Sequence, residues 1–110
     1  MFRAAGLADR VCLPVEPADA RHIFNQYVIR VPNRDALRRH LDKNGIGNEI
    51  YYPVPLHLQK CFANLGYSAG DFPNAERAAL DSLAIPIYSE ITPEQQQAVV
   101  DQIASFLGDC

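Results

Sequence analysis

A chain of 110 residues, 48% hydrophobic and 21% charged, has the size and composition of one folded domain rather than of two lobes or a disordered segment. Its formal net charge of −3 offers no basic footprint for nucleic acid or an anionic membrane surface. No apolar run reaches the roughly 18 residues of a membrane span, and the opening MFRAAGLADR lacks the apolar stretch of a signal peptide, so DNA binder, membrane protein and secreted mini-protein are set aside.

In chain order, Phe2 to Asp9 (FRAAGLAD) reads as the closing turns of a helix, and Cys12 to Ala20, with Pro14 and Pro17, as a connector. Residues 1–20 are therefore read as the remnant of an interdomain helix with its connector, and 21–110 as the domain. Ile23 to Val31 (IFNQYVIRV) alternates with the period of a strand and stops at Pro32, which has no N–H for a ladder. A helix follows, with Asn33 as cap, Asp35 in its first turn, Leu37 and Leu41 on the buried face, Arg38, Arg39 and Lys43 towards water, and Gly45 as the stop.

Ile46 to Pro53 (IGNEIYYP) is predicted as a second strand. PLHLQKCFANLG after it is predicted as a short helix, with Leu58, Cys61, Phe62 and Leu65 on one apolar face and Gly66 as terminator. Asn74 is predicted to cap the next helix, whose Ala75, Ala78 and Ala79 form a small-residue face. Ala84 to Tyr88 (AIPIY) is predicted as a third strand. The last helix has the fullest start signal: Thr92 as cap, Pro93 in the first position, and Gln95 closing a capping box. Its buried stripe is Val99, Ile103, Phe106 and Leu107. The order β-α-β-α-α-β-α predicts a small α/β sandwich in which helices cover a three-stranded sheet, with the strand pairing left open.

The densest polar and aromatic group is Tyr51-Tyr52-Pro53-Val54-Pro55-Leu56-His57. Two tyrosines end a strand, two prolines stiffen the turn and a histidine begins a helix, where binding groups are commonly displayed. His57 there could donate to an anionic oxygen. Strand alternation would send Tyr51 and Tyr52 to opposite faces, so that one of them joins His57. The same residues admit a second reading, in which the tyrosines are half-buried packing and His57 caps the helix or faces water.

The remaining polar residues point less far. His57 and Cys61 are one helical turn apart, but two ligands make no metal site, and Cys61 falls on an apolar stripe. His22 and His40 read as surface or edge histidines. Arg30 faces away from the core, towards solvent, a ligand or a missing partner surface. Asp71 and Glu76 have structural reasons to exist, in a turn and in a first helical turn. Neither Lys43 nor Lys60 has the surroundings of a Schiff-base lysine. Cys12, Cys61 and Cys110, odd in number and widely spaced, read as free thiols of a reducing cytoplasm.

Taken together, His22–Arg30 (HIFNQYVIR), Arg34-Asp35-Ala36-Leu37 with Leu41, Gly45-Ile46, Ile50–His57 (IYYPVPLH), Leu65-Gly66-Tyr67, Gly70–Pro73 (GDFP), Ala75-Glu76 and Leu83–Tyr88 (LAIPIY) resemble the C-terminal small domain of the DegT/StrS-type sugar aminotransferases. The resemblance covers essentially the whole chain, and the tyrosine-tyrosine-proline-x-proline-leucine-histidine run with its glycine-aspartate-phenylalanine-proline turn is its most specific part. It implies the fold of the small domain of aspartate-aminotransferase-type enzymes. It also implies an enzyme using pyridoxal 5'-phosphate (PLP) to move an amino group from glutamate or glutamine onto a nucleotide-linked keto sugar, as in cell-surface polysaccharide biosynthesis.

In that family the aldimine lysine and the cofactor cradle belong to a large domain, and Lys43 and Lys60 do not match the lysine motif. The resemblance therefore implies no catalytic and no cofactor-binding residue in this chain. It does imply a substrate-binding set of Tyr51, Tyr52 and His57 facing the active-site cleft. The chain is expected to be inactive alone, as a domain or fragment completed by the missing large domain. The alternative is an autonomous binding or oligomerisation module reusing the fold, since a face left uncovered invites association into a homo-oligomer.

Overall fold

Among the described residues five side chains are sealed completely from solvent: Ile29, Leu37, Leu41, Leu83 and Ile103. They arise from four different stretches of chain, Leu37 and Leu41 sharing one, and the elements carrying them account for most of the regular structure. The computed structural model describes residues 1–108. In order it contains strand β1 (Tyr27–Arg30), helix α1 (Arg34–Lys43), two short 3-10 turns (Leu56–Leu58 and Lys60–Leu65), helix α2 (Pro73–Asp81), strand β2 (Ser82–Ile85) and helix α3 (Pro93–Gly108).

The sheet has two strands, not the three expected. β1 and β2 pair antiparallel, with Tyr27 opposite Ile85, Val28 opposite Ala84, Ile29 opposite Leu83 and Arg30 opposite Ser82. Because side chains alternate along a strand, Tyr27, Ile29, Leu83 and Ile85 turn to one face, where they join one cluster with Leu37, Leu41, Val99, Val100, Ile103 and Leu107 of α1 and α3. Val28, Arg30, Ser82 and Ala84 turn to the other face, which α1 and α3 leave uncovered.

The expected strand 46–53 fails because its backbone is engaged locally. The Asn48 side-chain amide donates to Asp42 Oδ1 at 2.7 Å and to the Ile46 carbonyl at 3.2 Å, bending the segment out of register, and Pro53 supplies no N–H. Glu49 alone reaches the sheet. Its N–H donates to the Ala84 carbonyl at 3.1 Å, and its carbonyl accepts from the Ala84 N–H at 2.8 Å. Cys12 makes the equivalent exchange with Arg30 on the opposite edge, both bonds 2.9 Å. Single-residue bridges thus guard both edges of a ladder four residues long.

Other expectations are corrected in the same physical terms. The first strand starts at Tyr27 and not at Ile23, because the Phe24 N–H donates to its neighbour His22 Nδ1 at 2.8 Å and Phe24 takes a left-handed φ of 50°. Asn33 also sits in the left-handed region, and its side chain makes no capping bond. Asn74 is inside α2, which begins one residue earlier because Pro73 fits the first helical position. Residues 56–65 form two 3-10 turns broken at Gln59, which is extended at ψ 140°. With three residues per turn, the stripe Leu58, Cys61, Phe62 and Leu65 no longer forms one face, and all four are exposed.

Two helix ends, the start of α3 and the end of α1, follow the sequence closely. Thr92 and Gln95 form the reciprocal capping box, with the Thr92 N–H donating to Gln95 Oε1 at 2.9 Å and the Gln95 N–H to Thr92 Oγ1 at 3.2 Å. At the end of α1 the Ile46 N–H reaches back to the Leu41 carbonyl and Gly45 N–H to Asp42, with Gly45 at φ 71°, the closure that only a left-handed residue permits. Residues 1–7 form turns rather than a helix, yet repeat this closure: Leu7 N–H to Phe2 and Gly6 N–H to Arg3. Phe2, Leu7 and Val11 are all buried in the common core.

Two arginines tie the elements together. Buried Arg34 donates through its terminal nitrogen to the Ala79 carbonyl at 3.0 Å and the Ser82 carbonyl at 2.8 Å, joining the start of α1 to the end of α2. Arg30 instead forms a bidentate pair with Asp81 at 2.8 and 3.0 Å on the surface. Removing Arg34 leaves buried carbonyls without donors, so Arg34→Ala is expected to lower stability by about 2–3 kcal/mol, whereas Arg30→Ala, with 39% of its side chain exposed, is expected to cost no more than about 1 kcal/mol. Urea denaturation of the two variants measures the difference.

Burial raises the Tyr27 phenol above its ordinary value of 10.0. A raised acid keeps its proton in the folded state after the unfolded chain has lost it, so its contribution is complete below about pH 10 and is lost as pH climbs beyond. Tyr27→Phe is accordingly expected to flatten the alkaline limb of a stability profile recorded by denaturation.

Candidate functional site

The uncovered sheet face is the floor of a cleft of about 290 Å³. Val28 and Ala84 rise from the two strands, Ala75 and Ala78 from α2, and Tyr51 and Tyr52 from the segment that crosses above. The small residues are what leave room: alanines along α2 let the 51–56 segment stand over the helix without filling the space. Of the predicted small-residue face of α2, Ala79 is buried, Ala78 is partly buried and Ala75 is exposed at the cleft.

Both tyrosines line this one cleft. Strand alternation would have separated them, but the segment is not a strand, so the alternation does not apply. Tyr51 is 50% and Tyr52 70% exposed, and neither phenol is bonded to another described residue. They present ring faces and hydroxyl groups to whatever enters. Glu49 and Gln26 stand at the polar margin of the same cleft.

His57 is elsewhere. Its side chain is 6% exposed and lies edge-on to Phe72, ring centroids 4.9 Å apart. Nε2 is 3.5 Å from Glu76 Oε2, within reach of an ion pair, yet its geometry satisfies no hydrogen bond. Of the three residues expected to act together, the structure joins Tyr51 and Tyr52 at the cleft and leaves His57 out of its lining, buried against Phe72 and Glu76.

The secondary candidates separate in the same way. Arg30 is engaged by Asp81, whose hydrogen bond, foremost among the causes, raises the guanidinium further. His40 Nε2 pairs with Gln102 Oε1 at 3.1 Å. Asp71 accepts from the Ser68 N–H at 2.7 Å, and Glu76 from the Gly70 N–H. Cys12 and Cys61 are exposed free thiols, and Cys110 lies outside the described residues. Cys61 is near Gln59 and not paired with His57. Among the described residues no group of three or more His, Cys, Asp or Glu side chains could hold a metal ion, and no helix is long and apolar enough to cross a membrane.

The sequence reading missed the burial of Arg34 and the partner of Glu76, which it had placed only as a first-turn acid. Arg34 looks like one more helical surface cation, and its burial depends on α2 ending beside it. Glu76 looks like an ordinary first-turn acid. The nearby glycine-aspartate-phenylalanine-proline turn was the available signal that its carboxylate has an N–H to receive.

Residues 4–104 match the model of the DegT/DnrJ/EryC1/StrS aminotransferase family. The chain is 48% identical over 100 residues to a pleiotropic regulatory protein of Geobacillus stearothermophilus, covering 91% of this chain and 27% of that protein. It is 35% identical over 94 residues to a Streptomyces venezuelae dTDP-3-amino-3,4,6-trideoxy-alpha-D-glucose transaminase, covering 86% and 25%. The structure superposes on S. venezuelae DesV, solved in complex with a ketimine intermediate, with a TM-score of 0.86 and 33% identity over 96% of this chain and 29% of that one. The chain thus spans about a quarter of the length of the curated relatives it matches.

Display and packing predict opposite mutational outcomes. Tyr51→Ala and Tyr52→Ala are expected to change stability by about 0.5 kcal/mol or less, as exposed positions do, while His57→Ala loses a buried ring and costs about 1–3 kcal/mol. Thermal or urea unfolding of the three variants provides the check.

Proposed function

Because the chain belongs to the DegT/DnrJ/EryC1/StrS aminotransferase family, we propose that it forms the substrate-side wall of a PLP-dependent aminotransferase that moves an amino group from glutamate or glutamine onto a nucleotide-linked keto sugar. The observation that carries this reading is the pair of unbonded tyrosines standing over a floor of alanines. A sugar ring has apolar C–H faces and a rim of hydroxyl groups. Tyrosine rings accept the first by contact and their hydroxyl groups bond the second. The substrate-binding set of this proposal is Tyr51, Tyr52 and His57, the tyrosines lining the cleft and His57 buried at the end of the segment that carries them.

When bound, PLP supplies the electron sink for amino transfer. The residues present do not fit it. A cradle for PLP needs a lysine aimed into the cleft, yet Lys43 and Lys60 are both exposed and neither lines the cavity beneath Tyr51 and Tyr52. No step of the chemistry is assigned to this chain. It orients substrate, and the remaining three-quarters of such an enzyme supplies the lysine and the phosphate cradle. In this reading residues 1–20 form the connector to that larger part, 21–110 the small domain, and the reaction belongs to the cytoplasm.

Calorimetric titration of the chain with dTDP-glucose as probe tests the wall. Saturable binding is expected, weakened at least roughly fivefold by Tyr51→Ala or Tyr52→Ala, the loss of about 1 kcal/mol. Binding that ignores both substitutions contradicts it, and a defined dimer that binds the nucleotide sugar unaided points to the autonomous module. The chain mixed with PLP and glutamate is expected to form no borohydride-stable adduct; one on Lys43 or Lys60 overturns the assignment of the chemistry to the larger part.

A further inference from the structure

We infer that Glu76 is the positioning residue for the tyrosine wall, an inference that rests on the reading of Tyr51 and Tyr52 as substrate contacts. The segment 49–57 is a span between two anchors. At one end Glu49 exchanges both backbone hydrogen bonds with Ala84 of β2, at 3.1 and 2.8 Å. At the other end the His57 ring is sunk between Phe72 and Glu76. Between the anchors no ladder holds the chain, and Pro53 and Pro55 stiffen what lies between.

Glu76 is the residue on which the second anchor turns. It sits in the first turn of α2, where the helix dipole favours a carboxylate, but its oxygens reach out of the helix. Both accept from the Gly70 N–H, at 2.9 and 3.0 Å, and Oε2 also faces His57 Nε2 at 3.5 Å. Among the described residues Glu76 is the one charged group within ion-pair distance of the His57 ring. Phe72 meets the His57 ring edge-on at 4.9 Å, and Tyr67 in turn meets Phe72 edge-on at 5.0 Å, neither bringing charge. One carboxylate therefore bonds the 66–72 turn to α2 through Gly70 and faces the His57 ring at the end of the tyrosine segment within ion-pair distance. The helix so gripped is the one whose Ala75 and Ala78 line the cleft. Loss of that grip frees the far end of the span, and the tyrosines with it.

The test compares Glu76→Ala and Glu76→Gln in this chain by NMR, following Gly70 amide exchange, the Tyr51 and Tyr52 ring signals and the Ile29 and Leu83 methyl groups, with dTDP-glucose as the binding probe. In Glu76→Ala, Gly70 exchange is expected to rise by roughly tenfold or more and both tyrosine rings to move to solvent-averaged positions, while the core methyl groups stay in place. Glu76→Gln keeps an acceptor for Gly70 and is expected to restore most of its protection and most of the ring positions, together with probe affinity. Faster Gly70 exchange with unmoved tyrosine rings overturns the inference.

Should Glu76→Ala not fold, His57→Gln decides. Shifted tyrosine rings with Gly70 still protected support the anchor, and unshifted rings refute it. If the rings respond as expected but dTDP-glucose does not bind even the unaltered chain, the anchor stands and the reading of the wall as a substrate contact falls.

Discussion

A ladder of two strands with four residues each can bury only one face, and nearly everything else in the molecule follows from which face that is. Such a pair is marginal in water alone. Ile29 and Leu83, facing each other across the ladder, gain their burial from α1 and α3, which supply Leu37, Leu41 and Ile103. Each of these fully buried aliphatic side chains contributes roughly 1.5–3 kcal/mol by leaving water, more than any polar contact on the surface. Both helices are spent on that face. The opposite one, carrying Val28 and Ala84, is left to a segment without regular structure, and there the cleft opens.

Charge is used differently on the two sides. Arg34 works in the dry region between α1 and α2, where unpaired carbonyl groups of Ala79 and Ser82 would otherwise remain. Arg10 treats the end of α3 in the same manner, donating to the Leu107 carbonyl. Both exploit the surplus of acceptors at a helix C-terminus. Arg30, on the open face, meets Asp81 in solvent and contributes little. The guanidinium groups that matter for stability are therefore those that answer helix ends, and their targets lie far away in sequence.

That distance explains how much was legible. α1 and α3 could be read because each carries its own stop or start, Gly45 and the Thr92–Gln95 pair, acting within a few residues, whereas α2 was read with its start misplaced at Asn74 instead of Pro73. The family could be read for the same reason, since its signature runs are contiguous. The outcome of the second predicted strand, 46–53, could not be, because the Asn48 amide competes locally for the backbone that a ladder would need. Ile23 to Gln26 were lost to the His22–Phe24 hydrogen bond. Of the site, Tyr51 and Tyr52 were found by composition but wrongly divided between two faces, a consequence of the strand that did not form. The burial of His57 depends on Glu76 and Phe72, fifteen and more residues onward, and no periodicity announces it.

The curated relatives of this chain are about four times its length, and the structure divides the chain into one sealed face that carries stability and one open face, the face proposed for recognition. Hydrogen–deuterium exchange of the chain with and without saturating dTDP-glucose tests that division most directly. The account predicts added protection confined to residues 49–58 and 75–84, with α1 and α3 unchanged. Protection on the α1 and α3 side, or spread evenly over the chain, would contradict it.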